Sequence, residues 1–205
     1  MALQEATTLS RVPAGTRHAT GFSMLEVLIS IFIVLLGVLG LAGLIVRSNQ
    51  SEFESYQRVQ ALMLVQDLVD RMNANRKVAT CYSNGTTGIT LGTGASTPAT
   101  CTAGDAQQNA RADADLAAWN NLLKGSAESD SGNNVGAMIG ARGCITYDAS
   151  TEIGGIAGTG VYTISVAWQG LAVTAAPANT CGQNQYGDEK QRRVVTATVR
   201  IAELS

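Results

Sequence analysis

Glu26 is the single ionisable side chain in an apolar run from Gly21 to Val46, and Cys81, Cys101, Cys144 and Cys181 are the chain's four thiols. Charge pairing at the first place and redox chemistry at the second are what these residue types could support. An acid at the centre of a membrane-length helix costs roughly 2.5 to 3.5 kcal/mol, less near an end, so it faces a partner rather than lipid. Glu26 therefore calls for a cationic neighbour. The thiols all lie in a loop-rich region beyond the apolar run, where an even number in an exported domain favours disulfides over free thiols. Three connectivities are possible. Cys81 with Cys101 would close a Gly/Thr-rich loop and Cys144 with Cys181 would bracket a central strand; this pairing is preferred, and the other two stay open. A zinc site would need ligand pairs at short spacing, which the sequence lacks.

Helical elements must position Glu26. The segment Val27 to Val46 carries no charge over twenty residues, and at 1.5 Å per residue a helix of that length covers about 30 Å, the thickness of a bilayer's hydrocarbon. A secretory signal peptide would have a shorter apolar region followed by a small-residue cleavage site. A plain anchor would gain nothing from Glu26, and a buried core helix would not run so long without charge. Gly37, Gly40 and Gly43 sit three apart in this half, a spacing compatible with close helix packing or with local extension. From Ser48 to about Asn75 there is neither Gly nor Pro, and Ala61, Leu64, Val65, Leu68 and Met72 mark one apolar face, which predicts a continuing amphipathic helix.

Beyond Asn75 the composition shifts. Thr80 to Asp105 reads as a long surface loop with a short hairpin, and Asp113 to Leu123 as a short amphipathic helix stopped by Gly125. A Gly/Ser/Asn-rich link, 125 to 136, precedes three strand candidates: Cys144 to Tyr147, Val161 to Gln169 and Val194 to Ile201. The expected fold is α+β, a long N-terminal helix packed on a small antiparallel sheet of three or four strands.

The motif Gly21-Phe22-Ser23-Met24-Leu25-Glu26-Val27-Leu28 resembles the class III signal of type IV prepilins. That resemblance implies cleavage between Gly21 and Phe22 by a prepilin peptidase, N-methylation of Phe22, and pairing of Glu26 with the N-terminal amine of the preceding subunit in a filament. Further along, Asp67 to Arg76, the helix with Leu116, Trp119 and Leu122, Gly143-Cys144-Ile145, Tyr162 to Gly170, Cys181-Gly182 and Arg192-Arg193-Val194-Val195 resemble the PilV-type minor pilins, the type IV pilus modification proteins. The implied organisation is a leader, 1–21, a membrane or filament-core half of the stem helix, 22–46, an amphipathic half, 47–76, and a disulfide-stabilised periplasmic head, 77–205. The implied role is a low-abundance subunit that joins a minor-pilin complex priming pilus assembly and so supports twitching motility and adhesion. Its partners would be prepilin peptidase, other minor pilins, the major pilin, the inner-membrane assembly platform and membrane lipid. Localisation would pass from the inner membrane to the pilus, at its tip. A type II secretion pseudopilin and a membrane-anchored periplasmic binding domain are the alternatives.

Several other functions are disfavoured. The full chain has 14 basic and 16 acidic residues; without Arg11, Arg17 and Glu5 of the leader, 12 and 15 remain, net about −3. Nucleic-acid binding needs clustered cations, and the only close approach, Arg192-Arg193 beside Lys190, reads as a solvated strand entry. The sole histidine, His18, lies in the leader, so Ser/His/Asp and Cys/His catalysis cannot be assembled in the processed chain. Gly154 to Gly160 imitates a phosphate loop but precedes a strand, where a dinucleotide fingerprint would follow one. It reads as a hairpin loop, and no cofactor, metal or catalytic residue is expected.

Overall fold

The computed structural model describes residues 21–95, 97–131, 133, 134, 136 and 138–202. Residues 1–20 of the expected leader, with Arg11, Arg17 and His18, lie outside the described residues. The chain divides into two compact units, 1–46 and 47–205.

In the first unit the chain enters helix α1, Met24–Ala74. Ser23 caps its start: the Glu26 backbone N–H donates to the Ser23 hydroxyl at 3.2 Å. Ser-x-x-Glu is the sequence pattern of a capping box, and Glu26 in the first turn also faces the positive end of the helix dipole. All residues 21–46 are exposed. Gly37, Gly40 and Gly43 remain helical, and a Cβ on any of them would meet nothing within 4 Å.

In the second unit α1 buries Gln57, Ala61, Val65, Leu68 and Met72, steps of four, four, three and four residues that keep one face inward. Leu64, expected on that face, is only partly buried. Short 3₁₀ segments then lead to strand β1, Ile89–Gly92. Helix α2, Ala106–Leu123, follows, then the two-residue strands β2, Ser129–Asp130, and β3, Asn133–Asn134. Three longer strands complete the unit: β4, Ile139–Asp148, β5, Val161–Gln169, and β6, Arg192–Arg200. The main sheet has the order β1-β4-β5-β6 and is antiparallel throughout. This is the expected α+β arrangement, a long helix against a small antiparallel sheet.

Three local expectations change. Thr80 to Asp105 is not simply a surface loop with its own hairpin: Tyr82, Ser83 and Leu91 are fully buried, and β1 pairs with the distant β4, Ile89 opposite Ile145. A four-residue strand carries too little alternation to announce a remote partner. Helix α2 starts at Ala106 rather than Asp113, because Asp105 accepts from the Gln107 and Gln108 backbone N–H groups and the Gln108 side-chain oxygen accepts from the Asp105 N–H. This capping box supports a polar first turn that has no apolar period to reveal it. Strand β4 begins five residues earlier than expected, across an irregularity between Ile139 and Arg142 where Gly140 takes φ +64°.

The core lies between α1, α2 and the inner face of the sheet. Trp119 is fully buried, its indole N–H donates to the Leu64 carbonyl at 2.8 Å, and its ring covers Gly143 so closely that a Cβ there would fall 2.2 Å from it. Trp168 on β5 donates to the buried Gln57 Oε1 of α1 at 3.1 Å. Beside these, Asp115 accepts from the Tyr82 hydroxyl at 2.7 Å and from Arg71 at 3.0 Å, while Arg71 also holds Asp67 at 2.8 Å. Burial, and then the bond to Asp115, raise the Tyr82 phenol well above its ordinary range. The hydrogen bond that Arg71 donates to Asp67, foremost, raises the guanidinium above its ordinary value.

Candidate functional site

Gly21 and Phe22, the expected cleavage pair, precede α1 and are exposed, Phe22 to 83%. Glu26 stands one turn later with its carboxylate outside any partnership among the described residues. Its backbone carbonyl accepts from the Ser30 hydroxyl at 2.7 Å. From Met24 the apolar side chains stay exposed through Val46. By length and composition this helix can cross a membrane. A contiguous apolar surface of this size marks a membrane or protein interface, and the glycines add no bulk to it. Among the described residues a Cβ at any of the three would meet nothing within 4 Å, so no packing among them calls for glycine.

The thiols form two bridges, Cys81–Cys101 and Cys144–Cys181, which is the preferred connectivity. Cys81–Cys101 joins the turn after α1 to the approach to α2. Asp113 accepts the Cys101 N–H at 2.8 Å, and Asn109 accepts the Gly104 N–H at 2.8 Å, so that approach is fixed by polar groups of α2. Cys144–Cys181 ties β4 to the segment between β5 and β6, which crosses the outer face of the sheet. Among the described residues no group of His, Cys, Asp and Glu is arranged to hold a metal ion.

That crossing segment contains what the sequence reading missed. Arg192 is not a solvated strand entry: it is 1% exposed, pairs with Glu189 at 2.6 Å, and donates to the carbonyls of Pro177, Asn179 and Cys181. The Asn184 backbone N–H, and then Arg192, hold the Glu189 carboxyl below its ordinary value. Arg193 reaches Glu54 of α1 at 3.3 Å, and Glu54 also accepts the Ala172 N–H at 2.8 Å. Tyr186 donates its hydroxyl toward the carbonyls of Gly140 and Ala167 at 3.0 and 3.1 Å, and burial pushes its phenol up to about 12. Only the adjacency of two arginines to an acidic pair was visible in the sequence; the carbonyls that Arg192 serves come from a turn that the disulfide brings over the sheet.

The fold and the exposed stem define a pilin-like protein: a long N-terminal helix, apolar in its first half, whose second half is packed on a four-stranded antiparallel sheet. Residues 43–117 match the family model of the type IV pilin Tt1218, Tt1218-like. This match covers less than half of the chain and supports a type IV pilin reading of it. It runs from the last glycine of the apolar half through the first disulfide into α2, and starts beyond the Gly21 to Glu26 motif. No curated protein and no solved structure matches the chain significantly.

Proposed function

We infer that the chain is a minor pilin of the PilV type that joins other minor pilins in a complex priming type IV pilus assembly, and so supports pilus biogenesis, twitching motility and adhesion. The carrying observation is Glu26, placed in the first helical turn behind Gly21 and Phe22 at the head of an apolar half-helix with exposed side chains. On this reading prepilin peptidase cuts between Gly21 and Phe22 and methylates the new amine. The amine of one subunit then meets Glu26 of the next, which offsets the cost of taking the carboxylate out of water. Before assembly the first half of α1 sits in the inner membrane with the head in the periplasm, against the assembly platform. Afterwards the same apolar surface is covered by other minor pilins and the major pilin at the pilus tip. The PilV-like head residues favour this over a secretion pseudopilin or an anchored binding domain.

Two measurements test it. Mass spectrometry of the mature protein should find N-methylated Phe22 as the first residue; an intact Met1 or a cut after Val46 would remove the basis of the reading. Glu26→Ala should insert in the membrane normally yet lose recruitment into pili, and full recruitment of that variant would sink the charge-pairing role.

A further inference from the structure

The outer face of the sheet carries a cleft that the assembly role does not use. It has a volume of about 460 Å³, with a floor that includes Thr146 of β4 and Thr163 of β5 and a wall formed by residues 179 to 185 of the crossing segment. That wall is braced by the Cys144–Cys181 bridge, by Arg192 under the carbonyls of Pro177, Asn179 and Cys181, and by Tyr186. The cleft is therefore pre-formed, and its volume lies within the roughly 300 to 1,000 Å³ of small-ligand sites. Most such sites are lined by apolar and aromatic groups; this one is lined mainly by hydroxyl, amide and backbone groups.

Arg142 also lines the cleft. It sits in β4 on the same face as Cys144 and Thr146, and the cleft includes no carboxylate. Among the described residues its guanidinium has neither an ion pair nor a hydrogen bond, and its Nε is buried without a partner. Gly94 gives the guanidinium room, since a Cβ there would come within 2.9 Å of Nη2. Nε has almost no accessible surface and is out of a ligand's reach, so a bound anion would meet the guanidinium through Nη1 and Nη2, which have no partner among the described residues. An arginine fork is shaped to hold a carboxylate through two parallel hydrogen bonds. Around it, the side chains of Thr146, Thr163, Gln183 and Gln185 also have no partner among the described residues, so hydroxyl-binding capacity surrounds one anion-binding point.

We propose that this cleft binds an acidic saccharide, with the sugar carboxylate on Arg142 and the ring hydroxyls on the threonines and glutamines. An acidic peptide would need apolar side-chain pockets or a free strand edge to pair with. β4 offers no free edge, because β1 and β5 occupy both its sides, and Ile89 is the one large apolar side chain among the residues that line the cleft. The site is independent of Glu26 and stands whether or not the chain enters a filament.

The test is calorimetric titration of the full chain in neutral detergent micelles with trigalacturonate, with maltotriose as the uncharged control and a triglutamate peptide as the acidic control. Trigalacturonate is expected to bind saturably, at least tenfold more tightly than either control. Arg142→Gln should weaken it at least tenfold and Thr163→Val several-fold, with both disulfides formed and the unfolding temperature unchanged. Absence of saturable binding, equal affinity for maltotriose, or undiminished binding by Arg142→Gln would each overturn the proposal. Equal or tighter binding of triglutamate would overturn it in favour of an acidic peptide. Should Arg142→Gln fail to fold, undiminished binding by Thr163→Val would refute the saccharide contacts and several-fold weakening would uphold them.

Discussion

Arg192 and the Cys144–Cys181 bridge anchor the same segment to the sheet, so their contributions to stability should not add. In Arg192→Met three carbonyl oxygens lose a charged donor, and hydrogen bonds to charged groups net about 1.5 to 3 kcal/mol each. Their full sum overstates the loss, because these carbonyls belong to a surface turn and can recover water. Glu189, whose side chain is 26% exposed, adds at most about 1 kcal/mol as a surface pair. The expected cost is about 3 kcal/mol, the lower end of the range for breaking a buried pair. The bridge closes 37 residues, for which chain entropy gives about 4 kcal/mol. Once either anchor is gone the turn lifts and the other holds less, so a variant lacking both should lose less than the sum of about 7 kcal/mol, by roughly 0.5 to 3 kcal/mol of coupling. Guanidinium unfolding followed by tryptophan fluorescence reads all arms of the cycle. Additivity within about 0.5 kcal/mol, or a cost below about 1 kcal/mol for Arg192→Met alone, would refute the two-anchor description.

Gly143→Ala should destabilise the head by about 1 to 3 kcal/mol or more, because the new methyl would meet the Trp119 ring at 2.2 Å; a chemical melt at unchanged slope checks it. Stability should also fall above about pH 10. Tyr82, Tyr162 and Tyr186 are all raised by burial from the ordinary 10.0, so the folded chain keeps protons that the unfolded chain releases. The loss begins at the unfolded value and continues through the folded ones, and Tyr186→Phe should flatten part of the slope in a pH series of unfolding midpoints. Replacing Gly37, Gly40 and Gly43 with Ala should raise helicity of the isolated chain, by about 0.8 to 1.0 kcal/mol per site, since the added methyls meet nothing among the described residues. If the glycines serve close approach between stems, the same triple variant should be poorly incorporated into pili, and normal incorporation would discount that use.

Periodicity explains which parts of this fold were legible. In β5 the alternation of Tyr162, Ile164, Val166 and Trp168 matches a strand whose inner face is fully or almost fully buried, and its limits Val161 and Gln169 agree with the reading. The amphipathic stretch of α1 was legible for the same reason, apart from Gln57, a polar residue on the buried face whose role depends on Trp168 far away in sequence. Strand β1 and the first turns of α2 were not legible, because their placement rests on a remote strand and on side-chain caps. Arg192 was misjudged because its partners are backbone carbonyls, which any sequence supplies. Glu26 was conspicuous for the opposite reason, an ionisable group in a run that carries no other charge.

The strand order has a consequence for how the head is built. β4, β5 and β6 are consecutive and antiparallel, so they can zip together as a meander from contacts that are short in sequence. β1 must instead close the stretch from Ile89 to Ile145, which contains all of α2, and such distant pairings are slow because loop-closure entropy comes first. The earliest strand in the chain is therefore expected to be the last to find its place. Until it does, the outer edge of β4 stays open to any extended segment nearby, and the nascent head is most exposed to mispairing at the strand that carries Cys144.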